Sequence, residues 1–178
     1  MLAPIINRHA LGHINIVVPI TAWRSHFVGK LDRSYHDRPY YFAVHNIMAT
    51  LAKYMHFKKI DDKVHFVFDS GDAEPIGEIQ STYAEFVRTA PPHYQKYLSG
   101  TPHFEKDEDV LPLQAADVLD WHVRRAYVGA QRKTPRDFSS VVDRELFEGC
   151  ERVECKWTDA QLKQAAEFIL SRRLWRSH

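Results

Sequence analysis

Short β-branched and aromatic segments recur along the chain and predict strands. The segment HINIVV, residues 13–18, is closed by Pro19, and RVECKW, residues 152–157, alternates polar and apolar positions as an edge strand does. VHFVFD, residues 64–69, is apolar at nearly every position, which is typical of a strand covered on both faces. A further short strand is predicted within TPHFEKDED, residues 101–109. The chain therefore contains the strands of a small sheet.

Longer segments with helical periodicity lie among these strands. The predicted helix over residues 40–55 tolerates Pro39 in its first turn, and Thr158 with Gln161 forms a capping box at the start of the last helix. The alternation of strands and helices predicts an α/β fold, a mixed sheet flanked by helices. The predicted helices are a short one capped by Thr21 and ending at Phe27, and residues 40–55, 76–90, 113–130, 137–149 and 159–173.

The composition fits one domain and argues against several classes of protein. With 178 residues, 44% of them apolar, the chain can bury a core, and we predict a single α/β domain over residues 1–178. With a net charge of +1, the protein has no overall electrostatic field that would indicate binding to nucleic acid or to a membrane. Cys150 and Cys155 are too few for a disulfide framework, and no run of about 18 apolar residues predicts a membrane span. We therefore expect a cytoplasmic protein with no membrane partner.

The segment LPLQAADVLDWHVRR, residues 111–125, places two carboxylates on a predicted helix. Because each residue turns the helix by about 100°, Asp117 shares a face with Asp120, whereas Leu119 and other apolar residues gather on the opposite, core-facing side. Two interpretations are open at this point. The acids are either an exposed pair balanced by Arg124, or part of a functional site.

A second acidic group, FDSGD, occupies the end of the strand predicted at residues 64–69. In open α/β sheets, ligand crevices form at the carboxyl ends of strands. Gly71 allows a sharp turn there, which would crowd Asp69, Asp72 and Glu74 into one small volume. Ordinary turn and helix-start chemistry explains Asp72 and Glu74 equally well. We interpret Asp69, directly at the tip of the strand, as functional.

Carboxylates that converge from separate elements predict a cation site. They repel one another unless positive charge lies between them, and oxygen ligands suit Mg²⁺ or Mn²⁺. Such ions stabilise the attacking and leaving oxygens of a phosphodiester, so phosphoryl chemistry is the natural hypothesis. Arg124 and Arg125 are candidate phosphate contacts, although an arginine pair at a helix end is also an ordinary solvated feature. The eleven histidines form no zinc-binding motif.

Together the two acidic motifs resemble a known family. FDSGD after an apolar strand, followed about 45 residues later by LPLQAADVLDWHVRR, is similar to the bacterial and phage family catalogued as domain of unknown function 3800, whose fold is similar to ribonuclease H. The family's Leu-Gln-x-Ala-Asp signature matches Leu113, Gln114, Ala116 and Asp117. The resemblance implies that Asp69 and Asp117 are ligands of a ribonuclease-H-like metal site and that Gln114 steadies the start of the helix beside it.

The resemblance covers residues 1–135, which are similar to the C-terminal part of a ribonuclease-H-like domain. Residues 136–178 are expected to form an extension with one strand and one helix. Members of the family begin with a strand that carries an Asp-Glu-Ser-Gly-like motif, and no candidate acid precedes Asp32 here. We therefore expect a fragment, a shortened relative, or a chain whose sheet is completed by another polypeptide or a second copy.

Three hypotheses follow. The first is a metal-dependent nuclease or phosphodiesterase module in which Asp69 and Asp117 bind the metal and Asp72 or Asp120 is an auxiliary acid. The second is a binding or assembly subunit that keeps the fold without the chemistry and contacts nucleic acid through basic side chains. The third assigns the acids to caps and solubility alone. The basic residues of the second hypothesis are Arg24, Lys30, Arg124, Arg125, Arg132, Lys133 and Arg136.

Overall fold

Helices and strands alternate in the computed structural model, which describes residues 10–30, 38–71, 76–98, 100–131 and 150–174. The mixed α/β class is thereby confirmed. The helix predicted at 137–149 lies outside the described residues. The strands are β1 (Gly12–Val17), β2 (Val67–Asp69), β3 (His103–Glu105) and β4 (Glu151–Lys156). The helices are α1 (Ile20–Phe27), α2 (Pro39–Lys58), α3 (Ile76–Thr89), α4 (Pro92–Gln95), α5 (Leu111–Gln131) and α6 (Asp159–Leu174), with a 3₁₀ turn at Asp107–Asp109.

Local hydrogen bonds explain where the helices begin. The backbone N–H of Thr158 donates to Oε1 of Gln161 at 2.9 Å, and the N–H of Gln161 donates to Oγ1 of Thr158 at 3.3 Å. This reciprocal pair is the predicted capping box, and it satisfies two N–H groups that the first turn of α6 would otherwise leave unpaired. Pro39 stands in the first turn of α2, where no intrahelical N–H is required.

The strands pair in two sheets of two strands each within the described ranges. In the first sheet, the carbonyl oxygens of Leu11 and Val17 accept hydrogen bonds from the N–H groups of Glu151 and Trp157. Because these partners follow the same order along both strands, β1 and β4 run parallel. The second sheet pairs β2 with β3, also in parallel.

The prediction that VHFVFD is covered on both faces is wrong for β2. Phe66, Phe68 and Phe104 lie on one face of the second sheet, with ring centroids 6.4 Å and 5.8 Å apart along the row. On the other face Val67 remains 42% exposed. Successive side chains of a strand point to opposite faces, so the continuous apolar pattern hides an alternation between an aromatic face and a solvated face.

Residue contacts group the described chain into two compact units. The first unit comprises residues 10–15, 65–71, 102–131 and 150–153, and the second comprises 16–30, 38–64, 76–98, 100–101 and 154–174. Each unit is assembled from segments that are distant in sequence. The single domain over residues 1–178 stays a prediction.

An aromatic core holds the second unit together. Trp23 and Phe27 of α1 stack at 5.4 Å between ring centroids, and Phe27 lies 5.4 Å from Phe42 of α2. Leu162 of α6 packs against the same cluster and, like Phe27, is fully buried. Burial of several large apolar side chains in one place is the main favourable contribution to the stability of this unit.

A helix that spans a lipid bilayer must be both long and strongly apolar. Among the described residues, none of the helices combines enough length with enough apolar character to span a membrane.

Candidate functional site

Four carboxylates from three elements of the first unit lie close enough to influence one another. Asp69 ends β2, Asp107 begins the 3₁₀ turn, and Asp117 and Asp120 lie on α5. Partial withdrawal from solvent raises the pKa of the Asp117 carboxyl group, and the negative charges of Asp107, Asp69 and Asp120 raise it further. Asp117 as a residue is exposed, so water and ions can reach it. The predicted pair of Asp69 and Asp117 thus belongs to one electrostatic cluster.

The turn after β2 determines where the Asp69 carboxylate lies. The N–H of Ser70 donates to the carbonyl oxygen of Glu105 at 2.7 Å, which extends the pairing with β3 by one bond. The N–H of Gly71 donates to Oδ1 of Asp69 at 3.1 Å. A Cβ atom at position 71 would lie only 2.8 Å from Oδ2 of Asp69, so any larger residue there would displace this carboxylate. This turn uses Oδ1 and leaves Oδ2 as the oxygen for a ligand.

A side-chain hydrogen bond ties the start of α5 to the 3₁₀ turn. Nε2 of Gln114 donates to the carbonyl oxygen of Glu108 at 3.2 Å. In the same turn the N–H of Glu108 donates to Oδ1 of Asp107 at 2.8 Å. Gln114 therefore connects the helix that carries Asp117 to the turn that carries Asp107.

Two acids of this region were not predicted as site residues: Asp107, which belongs to the cluster, and Glu105, which lies beside it. Asp107 belongs to the run EKDED, in which the sequence pattern predicted a short strand nearby but no site residue. Glu105 stands opposite Asp69 in the register of β2 and β3, and paired residues of neighbouring strands project from the same face. The sequence signal for both was the short strand predicted within residues 101–109, because the end of a strand parallel to β2 must lie beside Asp69.

The basic candidates lie further along α5. Arg124 and Arg125 are exposed, and the guanidinium carbon of Arg125 lies 4.8 Å from the ring centroid of Trp121, itself 53% exposed. This is a cation–π contact in solvent. Asp120, four residues before Arg124, is exposed too. The candidate acids Asp72 and Glu74 lie outside the described residues.

The carboxylate oxygens of the cluster suit a hard cation that is bound by only a few protein ligands. Within the described part of the chain, no three Asp, Glu, His or Cys side chains are arranged as a ligand group. Magnesium is commonly held by one or two carboxylates, with water and substrate phosphates as the other ligands. A pair formed by Asp69 and Asp117 is consistent with that mode.

The crowding of these acids predicts that Asp117→Asn stabilises the metal-free protein at neutral pH. The pKa of Asp117 is raised above its ordinary 3.8, so the folded chain disfavours the charged form, and stability is lost as pH rises through this raised value. Like-charged neighbours on a helix cost about 0.2–0.5 kcal/mol, and a gain of this size is expected in urea unfolding at pH 7 with EDTA.

The gain should shrink as pH falls and vanish below 3.8, where both the folded and the unfolded chain protonate the carboxyl group. Asp62→Asn, a change of an exposed aspartate in the second unit, is the matched control and should alter stability little. Lower stability of Asp117→Asn at pH 7 would contradict the repulsive cluster.

Comparisons with known proteins were made at the level of family models, curated proteins and solved structures. None of the three comparisons found a match to this chain.

Proposed function

We propose that this chain is a ribonuclease-H-like module of a metal-dependent nuclease or phosphodiesterase. Asp69 and Asp117 are the proposed ligands of Mg²⁺ or Mn²⁺. The observation that carries the proposal is the raised pKa of Asp117, because part of it comes from the charges of Asp69 and Asp107 on two other elements. Carboxylates held together at such a free-energy cost are typical of sites that gain from binding a cation.

Each residue has a defined part in this proposal. A divalent cation bound here would stabilise charge on a phosphodiester oxygen and activate water for attack. Asp107 and Asp120 increase the negative potential that attracts the cation. Gln114 positions α5 through its hydrogen bond to the 3₁₀ turn. Arg124 and Arg125 are exposed on the same helix, where they are suited to contacting substrate phosphates.

A second candidate function is a binding or assembly subunit without catalysis. It is favoured by the small ligand set, since the described residues include no group of three metal-binding side chains. The exposed pair of Trp121 and Arg125 also fits a role in binding, because a base can stack on either group. In this alternative the acids only shape the surface potential around a nucleic-acid contact.

The proposal includes self-association of the chain. Each sheet of the described residues has two strands, so backbone groups remain open at the outer edges of β2 and β3. Such edges are templates for a further strand. A second copy of this chain, or another polypeptide, would complete the sheet by edge pairing.

Thermal unfolding with Mn²⁺ and Mg²⁺ tests the metal site. A ligand that binds only the folded chain stabilises it, by about 2.7 kcal/mol at a hundredfold excess over Kd. We expect the melting temperature of the wild type to rise with Mn²⁺ concentration, and that of Asp117→Asn to stay constant. Asp62→Asn is the control and should respond as the wild type does.

The outcomes separate the two candidate functions. No shift of the wild type by either ion would exclude the metal site and leave the binding subunit. An equal shift in wild type and Asp117→Asn would show that the ion binds elsewhere on the protein.

A further inference from the structure

The last turn of α2, in the second unit, has one buried face and one face open to solvent. Between Tyr41 and Ala52 every residue of α2 is buried or half-buried. Lys53, His56 and Phe57 are exposed, and so are the lysines that follow. The last turn thus keeps Met55 in the core and presents Lys53, His56 and Phe57 to solvent.

An aromatic ring dominates this tip. Phe57 is 82% exposed, although its side chain is among the most hydrophobic in the chain. Lysines at the end of a helix are ordinary, because the carboxyl end of the helix dipole attracts positive charge. The dipole gives no reason for an apolar ring among them. Phe57 is therefore the feature of the tip that neither core packing nor the helix dipole explains.

Further rings of α4 lie against the same turn. The imidazole of His56 lies 4.9 Å from that of His93 and 5.7 Å from the Tyr94 ring, between ring centroids. The hydroxyl of Tyr97, a residue only 2% exposed, lies 3.4 Å from Nδ1 of His56. This contact joins His56 to a buried side chain, so the exposed rings have a fixed support.

The charge around these rings is positive. Lys96 is paired with Asp61 at 2.9 Å, which neutralises both. Within residues 53–63, the other acid is Asp62. Four lysines of this segment are exposed, namely Lys53, Lys58, Lys59 and Lys63. Nζ of Lys58 lies 5.6 Å from the Tyr54 ring centroid, so cation and aromatic groups alternate at this end of the helix.

We propose that this surface binds single-stranded nucleic acid. We name it the α2 tip, and Phe57 is its principal stacking platform. Proteins that bind single strands combine aromatic rings, on which bases stack, with basic side chains that contact the backbone. A duplex hides its base faces, and an acidic peptide or an anionic membrane would need the lysines but no exposed rings. The α2 tip comprises Lys53, His56, Phe57, Lys58, Lys59, His93 and Tyr94.

Fluorescence anisotropy with a labelled single strand of about 15 nucleotides tests this proposal. Measurements in EDTA remove any divalent ion, so the result does not depend on the proposed chemistry at Asp69 and Asp117. Phe57→Ala should weaken binding about tenfold or more, and Phe57→Tyr should retain most of the affinity, because a phenol ring stacks as well.

Lysine variants test the electrostatic part. Lys53→Gln should reduce the slope of log affinity against log salt by about 0.7, the value for one phosphate contact on a single strand. Lys163→Gln removes the same charge from an exposed position on α6 and is the matched control, which should leave the slope unchanged.

Three results would overturn the proposal. They are the absence of binding at micromolar protein, equal binding of wild type and Phe57→Ala, and equal affinity for an abasic strand of the same length. The last result would show that the surface attracts any polyanion without stacking. Because Phe57 is exposed, its replacement should leave the fold intact, and the melting temperature of each variant checks this.

Discussion

Phe27→Ala is expected to lower the free energy of unfolding by about 3–5 kcal/mol. Phe27 has 0% of its surface exposed and lies between Trp23 and Phe42, with ring centroids 5.4 Å from each. Its removal loses the transfer free energy of the ring and leaves a cavity that its neighbours fill only in part. Urea unfolding followed by far-ultraviolet circular dichroism measures the loss.

The control for this change is available within the same unit. Phe57→Ala removes the same atoms from a side chain that is 82% exposed, and its effect should stay within about 0.5 kcal/mol. Comparable effects of the two substitutions would contradict the assignment of Phe27 to the core. A loss below about 1 kcal/mol for Phe27→Ala would do the same.

Asp69→Asn and Asp117→Asn are each expected to reduce Mn²⁺-dependent cleavage of nucleic acid at least about a hundredfold. Each change replaces a carboxylate proposed as a metal ligand by a neutral amide, and a hundredfold loss corresponds to about 2.7 kcal/mol of transition-state stabilisation. Cleavage of labelled single-stranded RNA, single-stranded DNA and an RNA–DNA hybrid should be followed at fixed protein concentration. The same assay tells which substrate the chain prefers.

The matched control for cleavage is Glu167→Gln, which changes an exposed carboxylate of α6 that belongs to neither the acidic cluster nor the α2 tip. It should keep the wild-type rate. Unchanged cleavage by Asp117→Asn would remove Asp117 from the mechanism. If Mn²⁺ stabilises the wild type but no substrate is cut, the site binds a metal without catalysis, as the binding-subunit alternative requires.

Local patterns predicted most of the elements correctly. The capping box of Thr158 and Gln161 and the position of Pro39 in the first turn of α2 are both observed. These features involve residues within a few positions of each other, so their interactions do not depend on the rest of the fold. Local pattern also predicted β1, β3, β4 and α5, whose observed bounds lie close to the predicted ones.

The local sequence pattern could not predict which strands pair with each other. β1 pairs with β4, more than 130 residues later in the chain, and β2 pairs with β3. A strand's sequence shows which residues alternate, but its partner is chosen by long-range packing. For this reason the two-sided burial expected for residues 64–69 was wrong at β2.

The sequence by itself determined most of the element types, the position of Asp69 at the end of a strand, and the exposed face of α5 that carries Asp117 and Asp120. It did so because periodicity and strand-end position are properties of neighbouring residues. Only the tertiary structure decided that Asp107 and Glu105 lie near these acids, and that Phe57 stays 82% exposed at the end of a largely buried helix. These facts depend on which distant segments meet, and such contacts leave no periodic trace along the chain.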